Sequence, residues 1–268
     1  MKLVHNSMKN KSILSSVQNG LSILKIFTKA KPILGITDIS KELNLPKSTV
    51  SRLINDLLKE GYLKKEKSKY RLGLSVLTLS GVIMSHLDLH REAFEPLKSL
   101  VNKINEAARI STLEGTQLIY LLKVESNNHP VRLLSHVGHF RPPTCSGPGK
   151  LLLAYQSKGV INSIIQEGLP KRGPNSITDP VILIKQLKEI RENGYSVAIN
   201  EMHDNAVSIA APIKDYQGKV IAAVSVAIPS ERVPTEKIPY LVDTLVSTGK
   251  EISIRLGYME TFHNEKEV

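Results

Sequence analysis

The sequence predicts an α+β protein of two domains, a small basic helical domain followed by a larger domain of strands and helices. The chain has 268 residues, and hydrophobic cores usually divide above roughly 250 residues. Residues 1–71 contain 13 Lys and 2 Arg against 5 acidic residues, which is almost the whole net charge of +11. Strand-like runs begin only near residue 109, after two stretches of helical periodicity.

The composition is that of an ordinary globular chain, with 41% hydrophobic and 23% charged residues. A lone cysteine, Cys145, cannot form an intrachain disulfide, which favours a reducing cytoplasm. The N-terminus has no apolar core of a signal peptide, and no later apolar run reaches the roughly 18 residues that span a bilayer. We therefore expect a cytoplasmic protein with neither export signal nor membrane anchor.

The basic first quarter predicts a partner that carries many phosphates, because each neutralised phosphate releases counterions. The local pattern agrees with a nucleic-acid partner. Helical spacing over 13–29 provides a base helix, Thr37 is predicted to cap a second helix, and Pro46 precedes a third that begins near Lys47. "YLKKEKSKYRLG" then resembles a basic two-stranded wing. The alternative is a solvated lysine-rich surface.

The third helix predicts the functional surface. Opposite its apolar face lies a stripe without acids, formed by Ser48, Ser51, Arg52, Asn55 and Lys59. This is the arrangement by which a helix-turn-helix reads the DNA major groove. The expected DNA contacts are Lys47, Ser48, Thr49, Ser51, Arg52, Asn55, Lys59, Lys64, Lys65, Lys67 and Lys69.

Each of these residue types has a physical reason. Short hydroxyls permit close approach of the backbone, Arg52 can reach a guanine edge or a phosphate, and Asn55 can pair with adenine. Thr49 is structural if it faces inward, and the wing lysines position the protein through phosphates. An ordinary helical hairpin with a solvated face is the alternative. Single-stranded or RNA recognition by stacking is less supported, because the basic region has few aromatic residues.

The remaining sequence predicts an α+β domain with mostly antiparallel strands. Helical periodicity over 72–107 falls in two pieces, and the first is predicted to connect the domains. Strands are expected within 108–126 around a turn at Gly115, and over 129–138, 195–201, 206–213 and 219–229, the last two joined by a hairpin at "KDYQG". Further helices are expected at about 147–156, 181–193 and 236–256.

Several motifs in both halves resemble the isocitrate lyase regulator (IclR) family of bacterial transcription factors. They are "VQNGLSILKIF", "TDISKELNLPKSTVSRLINDLLKEGYL", "YRLG", "HVGHFRPPTCSGPGKLLLA", "ITDP", "ENGYS" and "SIAAPI", in the family's order from about residue 13 to 257. The resemblance implies a winged helix-turn-helix over 1–72, a linker helix over 73–89, a GAF/profilin-like effector-binding domain over 90–257 and a tail over 258–268. It also implies dimers or tetramers on operator DNA.

The same resemblance implies an effector pocket at Gly147, Pro148, Ala206, Ser208 and Ser225. Helix N-terminal amides there would attract an anionic group, and strand hydroxyls would orient it. The alternative is that Ala206, Ser208 and Ser225 are merely small core-facing residues. Family members often carry an acidic run where this chain has Ala198, Ile199 and Asn200 before Glu201. We therefore expect no pocket acid that accepts from a ligand hydroxyl, which leaves an organic acid or a more apolar metabolite as the effector.

The sequence gives little support for nucleotide hydrolysis, metal binding or catalysis. "GPGK" lacks a phosphate loop's hydroxyl, because Leu151 follows the lysine. His129, His136 and His139 are better explained as surface residues than as metal ligands. Cys145 near a helix start is either a redox sensor or, more commonly, a small buried residue. We expect no catalytic residue, metal or cofactor; the rival class is a small-molecule-processing enzyme with a basic N-terminal arm.

Overall fold

A computed structural model describes residues 4–28, 30–85, 88–126 and 137–259. The chain forms two compact units, Met1–His86 and Leu87–Val268. Within the described ranges, none of the helices has the length and apolar character needed to cross a membrane.

The first unit is a helix-turn-helix followed by a two-stranded wing, as the sequence predicts. Its elements are α1 (Val4–Lys25), α2 (Ile36–Leu43), α3 (Lys47–Lys59), β1 (Leu63–Glu66), β2 (Lys69–Leu72) and α4 (Ser75–Ser85). The two strands pair antiparallel, with Glu66 opposite Lys69. Lys67 in the turn between them has a φ of 56°. The predicted wing is therefore confirmed.

One apolar core orients the third helix. Ile23 of α1, Ile39 of α2 and both Val50 and Ile54 of α3 are fully buried together. Burying this face of an amphipathic helix turns its opposite, polar face outward. The first unit thus presents the stripe that begins at Ser48 on its surface.

The start of the second helix differs from the prediction. Thr37 is not the N-cap, because α2 begins at Ile36 and Gly35 is its N-cap. The Asp38 carboxylate accepts a hydrogen bond of 2.9 Å from the Gly35 amide. The reason lies one residue earlier. Two backbone hydrogen bonds hold Leu34 against Tyr70 of the wing, so the chain enters the helix immediately afterwards.

The second unit alternates helices and strands. Its helices are α5 (Asp88–Ile104), α6 (Gly147–Ala154), α7 (Lys158–Glu167), α8 (Pro180–Asn193) and α9 (Ile238–Arg255). Its strands are β3 (Ala108–Glu114), β4 (Gln117–Val124), β5 (Phe140–Arg141), β6 (Ser196–Ile199), β7 (Ala206–Lys214) and β8 (Val220–Pro229).

Most predicted elements of this unit are confirmed, including the turn at Gly115 and the hairpin between β7 and β8. Helix α7 was not predicted; it starts at the Ser157 cap, whose hydroxyl accepts from the Val160 amide. The strand expected over 129–138 falls almost entirely outside the described residues, and so does most of the expected tail over 258–268.

The strand order in the described part of the second unit is β5-β4-β3-β8-β7-β6, and all neighbours are antiparallel. Arg109 of β3 lies opposite Ser225 of β8, and Ala227 of β8 lies opposite Ser208 of β7. Opposed residues share a face of a sheet, as do residues two apart along a strand. Arg109, Ser225 and Ser208 therefore project from the same face.

The two faces of this sheet carry different layers. Helices α5 and α9 cover one face, where Leu97 and Leu245 pack in one cluster with Val224 of β8. Helices α6 and α8 cover the other, where Leu152 and Leu183 belong to a second cluster. The face that holds Arg109 is the one beneath α6, and it contains an enclosed cavity.

Candidate DNA-binding surface and effector cavity

The predicted reading face of α3 lies on the surface of the first unit. Its fully exposed members are Lys47, Ser48, Arg52, Asn55 and Lys59, whereas Thr49 and Ser51 are half-buried. Polar side chains at the first turns of an exposed helix are those that enter a major groove. The stripe is therefore available for contact with a duplex.

An acid borders this stripe. Thr49 and Arg52 line an open groove between α1 and α3, and the exposed Asp56 lines the same groove. Asp56 follows Arg52 by four residues, the spacing at which opposite charges attract on a helix surface. The stripe itself is free of acid, as predicted, but Asp56 lies directly beside it.

The wing adds positive charge beside the helix. Lys64, Lys65, Lys67 and Lys69 are all exposed, on the two strands and on the turn between them. At its base the Arg71 guanidinium and the Glu66 carboxylate form an ion pair of 3.2 Å. A flexible, exposed row of lysines suits contact with phosphates, which position a protein on DNA without reading sequence.

A cavity of about 50 Å³ lies in the second unit, on the sheet face beneath α6. Pro148, Ala206, Ser208 and Ser225, four of the five expected effector contacts, line it. Gly147 is not part of the lining. A Cβ on Gly147 would approach the Ser208 carbonyl oxygen to 2.8 Å, so the glycine lets the start of α6 pack directly on β7.

The helix above the cavity begins with an ordered cap. Ser146 is the N-cap of α6, and its hydroxyl accepts a hydrogen bond of 3.3 Å from the Gly149 amide. The Ser196 hydroxyl of β6 donates to the Gly147 carbonyl at 2.6 Å. These bonds fix the position of the helix start beside the cavity, where a helix N-terminus favours negative charge.

The cavity also contains a buried arginine that the sequence analysis missed. Arg109 is 2% exposed, and its Nε and Nη2 atoms have no hydrogen-bond partner among the described residues. Burial lowers the pKa of Arg109, while Tyr120 and Glu125 act in the opposite direction. The one signal was a charged residue within the strand-like run "ARISTLE", but alternation with Ala108 and Ile110 places its side chain on the opposite face from theirs and does not predict burial.

Tyr120 and Arg141 line the cavity near this arginine. Burial raises the pKa of the Tyr120 hydroxyl, whereas both Arg109 and Arg141 act to lower it. Two guanidinium groups therefore lie within electrostatic range of one phenol.

An acid does line the cavity, although the acidic run of the family is absent. Glu201 lines it, and its Oε1 atom pairs with Lys150, which is fully buried. Its Oε2 atom has no hydrogen-bond partner within the described part of the chain. The prediction considered the positions at which family members often carry an acidic run, where this chain has Ala198. The carboxylate comes instead from Glu201, three positions later.

Lys150 itself is not available to a phosphate. Its ammonium donates to Glu201 and, at 2.7 Å, to the Gln186 side-chain oxygen of α8. Burial lowers the pKa of Lys150, and the Glu201 carboxylate opposes that effect. The lysine of "GPGK" therefore joins α6 and α8 to the cavity wall, in agreement with the rejection of a phosphate loop.

Cys145 is fully buried in the cavity wall, and its thiol donates to the Pro170 carbonyl at 3.1 Å. Burial raises the pKa of this thiol. A buried thiol with a raised pKa is a poor nucleophile, so the structure contradicts a reactive, redox-sensing thiolate.

The described residues contain no group of three or more potential metal ligands among His, Cys, Asp and Glu. His129 and His136 lie outside the described ranges, and His139 is half-buried just before β5. His203 lies at the cavity, where burial and then Arg141 lower its pKa.

A winged helix-turn-helix followed by an α+β unit with a cavity that buried charged side chains line is typical of a DNA-binding transcriptional regulator with a ligand-binding domain. Two family models match the chain. "IclR helix-turn-helix domain" matches residues 16–67, and "Bacterial transcriptional regulator IclR C-terminal" matches residues 82–254. The chain belongs to the IclR family of bacterial transcriptional regulators, as its motifs indicated.

Individual relatives agree with this assignment. The HTH-type transcriptional regulator KipR of Bacillus subtilis is 28% identical over 93% of this chain and 98% of its own length. The HTH-type transcriptional repressor AllR of Escherichia coli is 28% identical over 90% of each chain. The crystal structure of an IclR homologue from Microbacterium hydrocarbonoxydans, complexed with 4-hydroxybenzoate, is 25% identical, with a TM-score of 0.80 over 90% of this chain and 98% of its own.

Proposed function

We propose that this regulator reads its operator with the polar stripe of α3 and that a small molecule in the cavity beneath α6 changes its operator affinity. The observation that carries the first part is the exposure of Ser48, Arg52 and Asn55 on a helix whose other face is buried. Their position at the first turns suits insertion into the major groove. The wing lysines would hold the backbone on either side.

Within this proposal the residues divide into two roles. Arg52 and Asn55 discriminate bases, since their side chains can form bidentate pairs with guanine and adenine. Lys47, Lys59 and the four wing lysines neutralise phosphates, which gives affinity without sequence preference. Ser48 and Ser51 allow close approach, and the half-buried Thr49 supports the helix start.

The effector is proposed to be a small organic acid. The cavity lining supports this, because it combines strand hydroxyls, a helix N-terminus and arginines. One similar protein was crystallised with 4-hydroxybenzoate, which is such an acid. A ligand changes DNA affinity only if it binds the DNA-competent and incompetent arrangements with different affinity. Linker helix α4, within the proposed linker range 73–89, is the element that would transmit this difference.

A homodimer, alone or paired into a tetramer, is proposed as the binding form. Leu74, Leu77 and Leu79 on or beside α4 expose more than half of their side-chain surface, as do Val17 and Leu21 on α1. Neighbouring exposed apolar helices favour association with a second copy. A two-fold dimer would read half-sites separated by about 10 bp or a multiple of this distance. The site of action would be the cytoplasm, where bacterial DNA is found.

A regulator without enzymatic activity fits these features better than an enzyme with a basic arm. Two groups that could act in catalysis are engaged or buried, since Glu201 pairs with Lys150 and the Cys145 thiol is buried.

The deciding experiment is footprinting of fragmented genomic DNA with the full-length protein. The proposal predicts a small number of protected palindrome-like sites and no turnover of small organic acids incubated with the same preparation. Uniform, salt-sensitive protection of all fragments would refute sequence-specific regulation, and turnover of an acid would support the enzyme.

A further inference from the structure

The most unusual residue of the cavity lining is Arg109, whose buried guanidinium is not fully hydrogen-bonded within the described part of the chain. Arg109 projects from β3 beside Ser225, and two of its guanidinium nitrogens have no hydrogen-bond partner among the described residues. Burying a charged group without its full set of hydrogen bonds is strongly unfavourable, and such groups are rare in native proteins. A ligand that supplies the missing acceptor would relieve this cost.

The charged side chains around the cavity indicate whether that ligand is an anion or a cation. Arg109 and Arg141 both line it, and Glu201 is the one acid of its lining in the described residues. Glu201 is already engaged, because Lys150 pairs with it from within the wall. Glu125, the acid that acts on Arg109, lies outside the lining and pairs with Lys123 at 2.6 Å. The described lining therefore contains more basic than acidic side chains, which favours an anionic ligand.

The size and shape of the site further limit the chemical class of the ligand. The cavity of about 50 Å³ is small, which favours a ligand with few heavy atoms. The planar guanidinium of Arg109 matches the two oxygens of a carboxylate or a phosphate. A carboxylate on a short carbon chain is the smaller of the two and leaves apolar atoms for contact with Pro148 and Ala206.

We propose that Arg109 is the residue that selects the effector, by binding the carboxylate of a small organic acid with its guanidinium group. This inference rests on the proposed effector cavity and assigns its recognition chemistry to β3. The expected α6 contacts and the strand serines then position the remainder of the molecule.

The test compares the full-length wild type with Arg109→Met in thermal unfolding, without DNA. Sodium acetate, propionate, lactate and phosphate are each compared with sodium chloride at equal ionic strength, and lactamide serves as the neutral match for lactate. Anion binding should raise the Tm of the wild type by about 5 °C at a concentration near 100 times Kd. Arg109→Met should weaken carboxylate binding by about 10- to 100-fold. Arg255→Met, which removes a surface arginine of α9, is the matched control and should retain the full rise.

One further variant keeps the test decisive. Arg109→Met removes a buried charge whose hydrogen bonding is incomplete among the described residues, and it should fold with at least the stability of the wild type. Arg109→Lys covers the case in which it does not, and should retain part of the acid preference. The proposal is overturned if no carboxylate gives a rise that depends on Arg109, or if lactamide binds as well as lactate. A rise with phosphate alone also overturns the assignment to an organic acid.

The thermal measurement separates this inference from the proposed function. A wild type that binds carboxylates through Arg109 but shows no operator preference would refute the regulator and leave the anion site standing. A wild type that protects specific operators but gives the same salt response as Arg109→Met would refute only the role of Arg109.

Discussion

Lys150 of α6 and Glu201, just after β6, form an ion pair inside the second unit, and both side chains are almost completely buried. Gln186 of α8 accepts a further hydrogen bond from the same ammonium. The pair thus connects two helices with the cavity wall. It also explains why the lysine of "GPGK" faces the interior, where a charged side chain is rare unless paired.

Removal of one member of this pair should be costly. Lys150→Met leaves a buried carboxylate without its counterion, which typically destabilises a protein by about 3–5 kcal/mol. The double variant Lys150→Met with Glu201→Met should recover most of that loss, because two apolar side chains then replace two charges. Chemical denaturation monitored by circular dichroism measures both; equal losses for the single and double variants would show that the pair is not the cause.

Two glycines should respond oppositely to alanine. A Cβ on Gly149 would lie 2.1 Å from the Pro143 carbonyl oxygen, whereas a Cβ on Gly159 of α7 meets nothing closer than the Ser157 hydroxyl at 3.8 Å. Gly149→Ala should cost at least about 1–3 kcal/mol through forced displacement of α6. Gly159→Ala should stabilise α7 by roughly 0.5–1 kcal/mol. Thermal unfolding of both variants checks this, and a neutral Gly149→Ala would contradict the close contact.

The thiol of Cys145 should be almost unreactive in the folded protein. Burial raises its pKa, so the thiolate fraction near pH 8 is small, and the side chain is inaccessible. The chain contains one cysteine, and the reaction with Ellman's reagent therefore reports this site alone. We expect labelling in native buffer at least about 100-fold slower than in urea, since only opened molecules react. Similar rates in both conditions would mean that the wall of the cavity is open.

The exposed leucines of the first unit offer a test of association. Leu77 of α4 is 65% exposed, and its replacement by glutamate should lower the mass of the full-length protein in sedimentation equilibrium. The reason is that a charge in an apolar contact between copies must be desolvated. Tyr216→Glu, at the exposed turn between β7 and β8, is the control and should leave the mass unchanged. A wild type that already sediments as a monomer would refute the proposed dimer.

The helix-turn-helix and the wing could be predicted closely because each depends on local patterns, whereas α1 begins at Val4, nine residues before the predicted helix over 13–29. The spacing of Val50 and Ile54, the proline before Lys47 and the basic hairpin specify helix, turn and wing within a few residues. The cap at Gly35 could not be predicted in this way. It depends on the pairing of Leu34 with Tyr70, two residues far apart in the sequence.

The cavity also depends on contacts between distant residues, which local sequence patterns do not predict. Pro148, Ser208 and Ser225 were expected from family resemblance, and each lies in its lining. Arg109 and Glu201 could not be assigned, because their roles arise from the register of β3 with β8 and from the burial of Lys150. Such long-range packing decides whether a charged side chain faces solvent or an enclosed space.

The central claim is that the α3 stripe reads sequence, and it is tested most directly by the affinity of Arg52→Ala for a footprinted operator and for a scrambled duplex. We expect the variant to lose about 1–3 kcal/mol on the operator and little on the scrambled duplex. Lys65→Ala, the wing control, should weaken both duplexes equally and reduce the salt slope by about 1. If Arg52→Ala instead weakens both duplexes by the same amount, and the wild type itself barely distinguishes them, the stripe does not read bases and the account is wrong.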